Sequence, residues 1–150
     1  MFSLQFIRGL IGLGILEVEN KVESIIFSNH TLYGITKQLE RLKISKYFSS
    51  VLANTELDTS FKGKTKEEKL KYYIKSQQLQ FDQVLVIGDT TEEIEIGKAL
   101  GAITIAITDG YNSTSRLKMA KPDFLITDLA QVILIIKNLN TLSPRQINFT

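Results

Sequence analysis

Short apolar runs alternate along this chain with longer stripes of apolar residues. A short run between polar loops is typical of a buried strand, and apolar residues about every third or fourth position are typical of one helix face. The runs predict strands over residues 22–27, 48–53, 84–87, 102–108 and 123–126. The stripes predict helices over residues 31–42, 65–78, 92–100, 113–120 and 129–139. This alternation favours an α/β fold, a parallel sheet with helices on both faces.

Two acids follow the predicted strand 84–87. Gly88 and Asp89 end the strand, and Glu93 lies in the first turn of the next helix. Parallel α/β sheets hold ligands at the carboxyl ends of their strands, so both carboxylates can face one point there. Two hard oxygen ligands with phosphate and water suit Mg²⁺. The alternative is structural: Asp89 caps the helix, and Glu93 is a solvated acid in its positive first turn.

Ser28, Asn29 and His30 follow the predicted strand 22–27 and precede a helix. The free N–H groups of a helix start can bind an anion, which predicts Ser28 as a phosphate ligand and Asn29 as a donor of a backbone N–H. The alternative for Ser28 is an ordinary helix N-cap. We expect His30 to be a surface loop residue.

Two lysines, Lys62 and Lys64, precede the predicted helix 65–78. Either ammonium group can neutralise a phosphate at the sheet edge, and the sequence leaves open which one does. The alternative is a solvated, lysine-rich helix face.

Composition excludes several classes of site. The 150 residues carry a formal net charge of only +2, which does not favour nucleic acid. The sequence has no cysteine and one histidine, so thiolate zinc sites, cysteine nucleophiles and multi-histidine metal sites are excluded. No apolar run approaches the roughly 20 residues that span a bilayer. Without a basic leader or cleavage site at the start, we expect a cytoplasmic protein with no membrane partner.

In order and spacing, these motifs resemble the haloacid dehalogenase-like hydrolases, most of which are Mg²⁺-dependent phosphatases. The resemblance covers residues 22–137. Ser28 resembles the hydroxyl motif that holds the transferring phosphoryl group, and Lys64 resembles the lysine that neutralises it. The run from Gly88 to Ile94 resembles the acidic metal motif, with Glu93 in place of the more frequent aspartate.

The run 121–129, Lys-Pro-Asp-Phe-Leu-Ile-Thr-Asp-Leu, resembles the phosphoglycolate phosphatase-like branch of that family. The resemblance implies a Rossmann-like three-layer core without a cap domain, a Mg²⁺ cofactor and a small phosphorylated metabolite as substrate. It also implies a catalytic role for Lys64. We expect one domain, with a divergent segment over 1–21, the matching core over 22–139 and a tail over 140–150.

One motif of the family is missing. Its nucleophile is the first aspartate of an Asp-x-Asp motif at the end of the first, central strand, and this sequence has neither that motif nor any aspartate before Ser28. Two explanations stay open. The chain is the carboxyl-terminal part of a longer phosphatase, or residues 2–7 take the place of the first strand without supplying the acid. The expected function is a phosphatase that is inactive alone, and the alternative is a non-catalytic phosphate-binding or interaction module.

Overall fold

The computed structural model describes residues 22–54 and 65–141. Its strands are β1 (Ile25–Thr31), β2 (Ser50–Asn54), β3 (Leu85–Gly88), β4 (Ile103–Ile107) and β5 (Phe124–Ile126). Its α-helices are α1 (Leu32–Arg41), α2 (Lys66–Ser76), α3 (Thr91–Leu100), α4 (Thr114–Met119) and α5 (Ala130–Thr141). Short 3₁₀ turns precede β2 and β3, over Ser45–Tyr47 and Phe81–Gln83.

All the described strand pairs are parallel, which confirms the predicted α/β fold. β1 pairs with β2, and β3, β4 and β5 form a second sheet in that order. Within the described residues no backbone ladder joins β1 to β3. Residues 2–7, which the sequence offers as a replacement first strand, lie outside the described part.

Helices pack on both faces of the strands. Helix α1 covers one face of β1 and β2 through Ile35 and Leu39, and α5 covers one face of β4 and β5 through Val132 and Ile136. Helix α2 contacts both sheets, because its residues Leu70 and Ile74 pack in one cluster with residues of both β1 and β3. These two residues therefore connect the two sheets through apolar contact, without a shared ladder.

Local signals fix most helix ends. Thr65 and Glu68 form a capping box at the start of α2. Gly101 ends α3 in the left-handed conformation, with φ of 76°. The observed bounds fall within about two residues of the predicted ones at every element except β1.

Strand β1 continues to Thr31, so the prediction that it ends at Phe27 is wrong. The residues after Phe27 stay extended because Thr31 pairs with Asn54 of β2. Thr31, rather than Ser28, is the N-cap of α1, and its hydroxyl accepts a hydrogen bond from the Gly34 N–H at 3.2 Å.

In the described ranges, no helix combines the length and the apolar character that crossing a membrane requires.

Glu23, just before β1, connects the amino ends of β1 and β2 to the carboxyl-terminal half of α2. Its carboxylate accepts hydrogen bonds from the Ser49 hydroxyl at 2.6 Å and the Tyr73 hydroxyl at 2.7 Å. The bond from Ser49, then that from Tyr73, lowers the pKa of Glu23 below its ordinary value of 4.5. Because folding favours the ionised form, the resulting stabilisation is complete above pH 4.5 and is lost as the pH falls through the lower, folded-state pKa.

We predict that Glu23→Gln lowers the free energy of unfolding at neutral pH by roughly 0.5–1 kcal/mol, a value kept small because Glu23 is exposed. The difference from wild type shrinks as the pH falls below 4.5. Urea unfolding at several pH values measures it. Glu95→Gln, on an exposed face of α3, is the matched control. A difference that is constant with pH would contradict the ionic hydrogen bond.

Candidate functional site

Polar side chains gather where β1, β2 and β3 end. Ser28 lies in the last part of β1, Asn54 is the last residue of β2, and Asp89 directly follows β3. The strands are parallel within their sheets, and α2 reaches the ends of both β1 and β3. This is the edge of the sheet at which the sequence predicts the candidate site.

Glu93 is buried against the end of β3. A Cβ atom added to Gly88 would lie 2.5 Å from the Cβ of Glu93, so only glycine leaves room for this side chain. Its Oε2 accepts hydrogen bonds from the Thr90 N–H at 3.1 Å and from the Thr90 hydroxyl. Glu93 is 7% exposed. The alternative of a solvated first-turn acid is therefore wrong, because Glu93 folds back over the strand end.

Asp89 is held in place by the loop after β4. Its Oδ2 accepts a hydrogen bond from the Tyr111 N–H at 2.9 Å, and its carbonyl oxygen accepts one from the Asn112 N–H at 3.1 Å. A Cβ atom on Gly110 would clash with the Asp89 side chain. Thr90, rather than Asp89, is the N-cap of α3. The alternative that Asp89 caps this helix is therefore wrong.

Lys66, the first residue of α2, reaches these acids. Its Nζ forms an ion pair with Glu93 Oε1 and lies 3.7 Å from Glu92 Oε2. The ammonium group also lies over the ring of Phe27 in β1, at 5.3 Å from the ring centroid. One lysine of α2 therefore contacts both β1 and the acids that follow β3. Lys62 and Lys64, the predicted phosphate lysines, lie outside the described residues.

Ser28 and Asn29 lie beside a second lysine of α2. Lys69 Nζ donates a hydrogen bond to the Ser28 carbonyl oxygen at 3.3 Å, and the Ser28 hydroxyl accepts one from the His30 N–H at 3.1 Å. Lys69 is fully buried. Burial, and then the nearby charge of Lys66, lowers the pKa of Lys69. The two ammonium groups thus repel each other at this edge.

Mg²⁺ fits the carboxylates in ligand type. In ranges 22–54 and 65–141, no group of three or more Asp, Glu, His or Cys side chains is arranged to hold a metal ion. Mg²⁺ needs only one or two protein carboxylates when phosphate and water complete its octahedron. Asp89 and Glu93 meet that requirement, although Glu93 is shared with Lys66.

Sequence reasoning missed four contributors: Lys66, Lys69, Asn54 and the loop 110–112. One signal was available for Lys66, because the Thr65–Glu68 capping box makes it the first helical residue. The Asp-Gly turn after β4 marked the loop but gave no sign that its N–H groups face Asp89. No sequence signal indicates Lys69 or Asn54, since they bond to each other and to backbone carbonyls of β1, all distant from them in the sequence.

Solved structures share this fold. A predicted phosphatase from Clostridium acetobutylicum superposes with a TM-score of 0.74 at 19% identity, covering 87% of this chain and 59% of that one. A predicted phosphoglycolate phosphatase from Haemophilus somnus gives 0.72 at 22% identity, covering 84% of this chain and 54% of the other.

Curated relatives are similar in sequence. The phosphoglycolate phosphatase of Vibrio cholerae is 29% identical over 98 residues, 65% of this chain and 42% of that protein. The Escherichia coli enzyme of the same name is 24% identical over 121 residues, 81% of this chain and 46% of that protein. The chain thus spans less than half the length of these relatives. The sequence model of the haloacid dehalogenase-like hydrolases matches residues 14–107, and by that match the chain belongs to this family.

Proposed function

We propose that this chain supplies the phosphate- and Mg²⁺-binding part of a phosphatase for a small phosphomonoester, and that it does not turn over substrate alone. The observation that carries the proposal is the Lys66–Glu93 ion pair, because Lys66 also lies over Phe27 of β1 and so contacts both β1 and the acids after β3. The names of the curated relatives favour a small phosphorylated acid such as phosphoglycolate as substrate.

Each side chain has a role in this proposal. The Ser28 hydroxyl and the Asn29 N–H donate hydrogen bonds to phosphoryl oxygens, and Lys66 neutralises their charge. Asp89 is the proposed oxygen ligand of Mg²⁺, with Glu93 as the second acid that also orients Lys66. Bound Mg²⁺ would polarise the phosphoryl group. Lys64 keeps its predicted role as a second candidate for the neutralising lysine.

The proposed lack of turnover follows from the missing nucleophile. No aspartate precedes Ser28 in the sequence. In the described ranges, β1 pairs only with β2 and β3 only with β4, while both pack against α2. This arrangement is compatible with an additional strand between β1 and β3, which the family uses to carry its Asp-x-Asp motif. We propose that an aspartate-bearing strand from outside this chain completes the site.

A second candidate is a non-catalytic module that binds phosphate on the same scaffold. The absent aspartate favours it, because binding needs the hydroxyl, ammonium and metal ligands but no nucleophile. The two candidates differ in their response to an added strand that carries an Asp-x-Asp motif. The phosphatase would gain turnover, and the binding module would not.

We predict that the purified chain with Mg²⁺ hydrolyses phosphoglycolate or para-nitrophenyl phosphate no faster than its Asp89→Asn variant. Addition of a synthetic apolar peptide that ends in Asp-x-Asp should produce Mg²⁺-dependent release of phosphate, whereas a peptide ending in Asn-x-Asn should not. Binding without turnover in both cases would favour the module. Turnover by the chain alone would show that our account of the nucleophile is wrong.

Asp89→Asn should weaken Mg²⁺-dependent binding of inorganic phosphate at least tenfold, about 1.4 kcal/mol. The asparagine still accepts a hydrogen bond from the Tyr111 N–H, so the thermal midpoint should change little. Calorimetry with and without Mg²⁺ measures the affinity. Asp82→Asn, an exposed acid before β3, is the control. Equal affinities for the wild type and Asp89→Asn would remove Asp89 from the site.

Replacing each candidate lysine in turn should decide which one neutralises phosphate. We predict that Lys66→Met lowers phosphate affinity at least tenfold, because a charge-assisted hydrogen bond contributes about 1.5–3 kcal/mol. Lys71→Met, exposed on the same helix, should leave the affinity unchanged. A larger loss in Lys64→Met than in Lys66→Met would instead support the assignment made from the sequence.

A further inference from the structure

The ladder between β1 and β2 is interrupted beside the proposed phosphate hydroxyl. The register runs regularly to the pair Phe27–Leu52 and resumes at Thr31–Asn54. Residues 28–30 of β1 therefore face only Ala53 of β2. A bulge of this kind leaves backbone groups without ladder partners, and such groups bond to water or to donors elsewhere in the protein.

Two side chains supply those donors. Lys69 Nζ donates to the Ser28 carbonyl oxygen at 3.3 Å, and Asn54 Nδ2 donates to the Asn29 carbonyl oxygen at 2.5 Å. Lys69 also donates to Asn54 Oδ1, which fixes the orientation of the amide. The carbonyls of two successive residues are thus held by one connected network.

Helix α2 sets the place of this network. Lys66 and Lys69 are three residues apart and lie on neighbouring parts of one helix face. Lys66 extends to Glu93, and Lys69 extends to the bulge in β1. The same helix turn therefore contacts both halves of the proposed site.

We propose that Lys69 and Asn54 are positioning residues, which hold the bulge at residues 28–30 so that the Ser28 hydroxyl and the Asn29 N–H are arranged for a phosphoryl group. This inference rests on the proposed function for the ligand but not for the network itself. Neither side chain contacts the ligand in this proposal. We call them the Lys69–Asn54 pair.

The decisive variant is Asn54→Asp. An aspartate keeps an acceptor for Lys69 and adds an ion pair, but it cannot donate to the Asn29 carbonyl oxygen. A purely structural role for Lys69 predicts a protein at least as stable as wild type with unchanged phosphate binding. The positioning role predicts the same thermal midpoint with phosphate affinity reduced at least tenfold relative to wild type, and a loss that persists at high ionic strength, where the added negative charge of the aspartate is screened.

Lys69→Met removes both donated bonds with little change in side-chain volume, and Lys71→Met is its matched control. Amide NMR shifts of Ser28, Asn29 and His30 report the bulge without any ligand, and calorimetry with Mg²⁺ and inorganic phosphate reports binding. We expect these shifts to move in Lys69→Met and Asn54→Asp and to stay unchanged in Lys71→Met.

Unchanged shifts in both variants would overturn the inference, whatever the affinities are. Moved shifts with wild-type phosphate affinity would also overturn it, because the bulge would then not matter for the ligand. If the wild type itself does not bind phosphate, the proposed function fails, and the amide shifts alone then decide whether the pair holds the bulge.

Discussion

The ion pair between Lys66 and Glu93 is the constraint on which the candidate site depends. Both side chains are largely buried, with 13% and 9% of their surface exposed. Burying either charge alone is costly, so each group needs the other to be stable in this position. The apolar residues of α2 bring Lys66 there, because Leu70 and Ile74 anchor the helix between the two sheets. The core packing and the charge contact therefore support the same placement of α2.

The division of the strands into two sheets has a physical consequence. Side chains of α2 bury apolar surface of β1 and β3, but in the described part no ladder joins these two strands. Backbone N–H and carbonyl groups at strand edges without a ladder need water or another strand. The sequence has no aspartate before Ser28, and in ranges 22–54 and 65–141 β1 and β3 share no ladder. One added strand would remedy both, which is why the proposed function includes it.

The sequence predicted the features that depend on neighbouring residues, namely the helices and strands and most of their ends. Apolar periodicity predicted the elements, and at every element except β1 their bounds lie within about two residues of the observed ones. It could not predict the end of β1, because the bulge there depends on pairing with β2, a contact between distant parts of the chain. The burial of Glu93 was missed for a similar reason. In the sequence it is one of two adjacent acids at a helix start. The Thr90-x-x-Glu93 spacing of a capping box distinguishes it from Glu92, and the space above Gly88 allows its burial.

Lys66 and Lys69 differ in how their charges are compensated at this edge. Their repulsion contributes to the lowered pKa of Lys69, which is also buried. Glu93 and Glu92 both pair with Lys66, whereas the described partners of Lys69 are a carbonyl oxygen and an amide oxygen, both neutral. The charge of Lys66 is therefore compensated by two acids, and that of Lys69 by the dipoles of the Ser28 carbonyl and the Asn54 amide. In the proposed function, the Lys69 charge at the end of β1 would add to the stabilisation of a phosphoryl group, because fixed charges and dipoles need no reorganisation when the ligand binds.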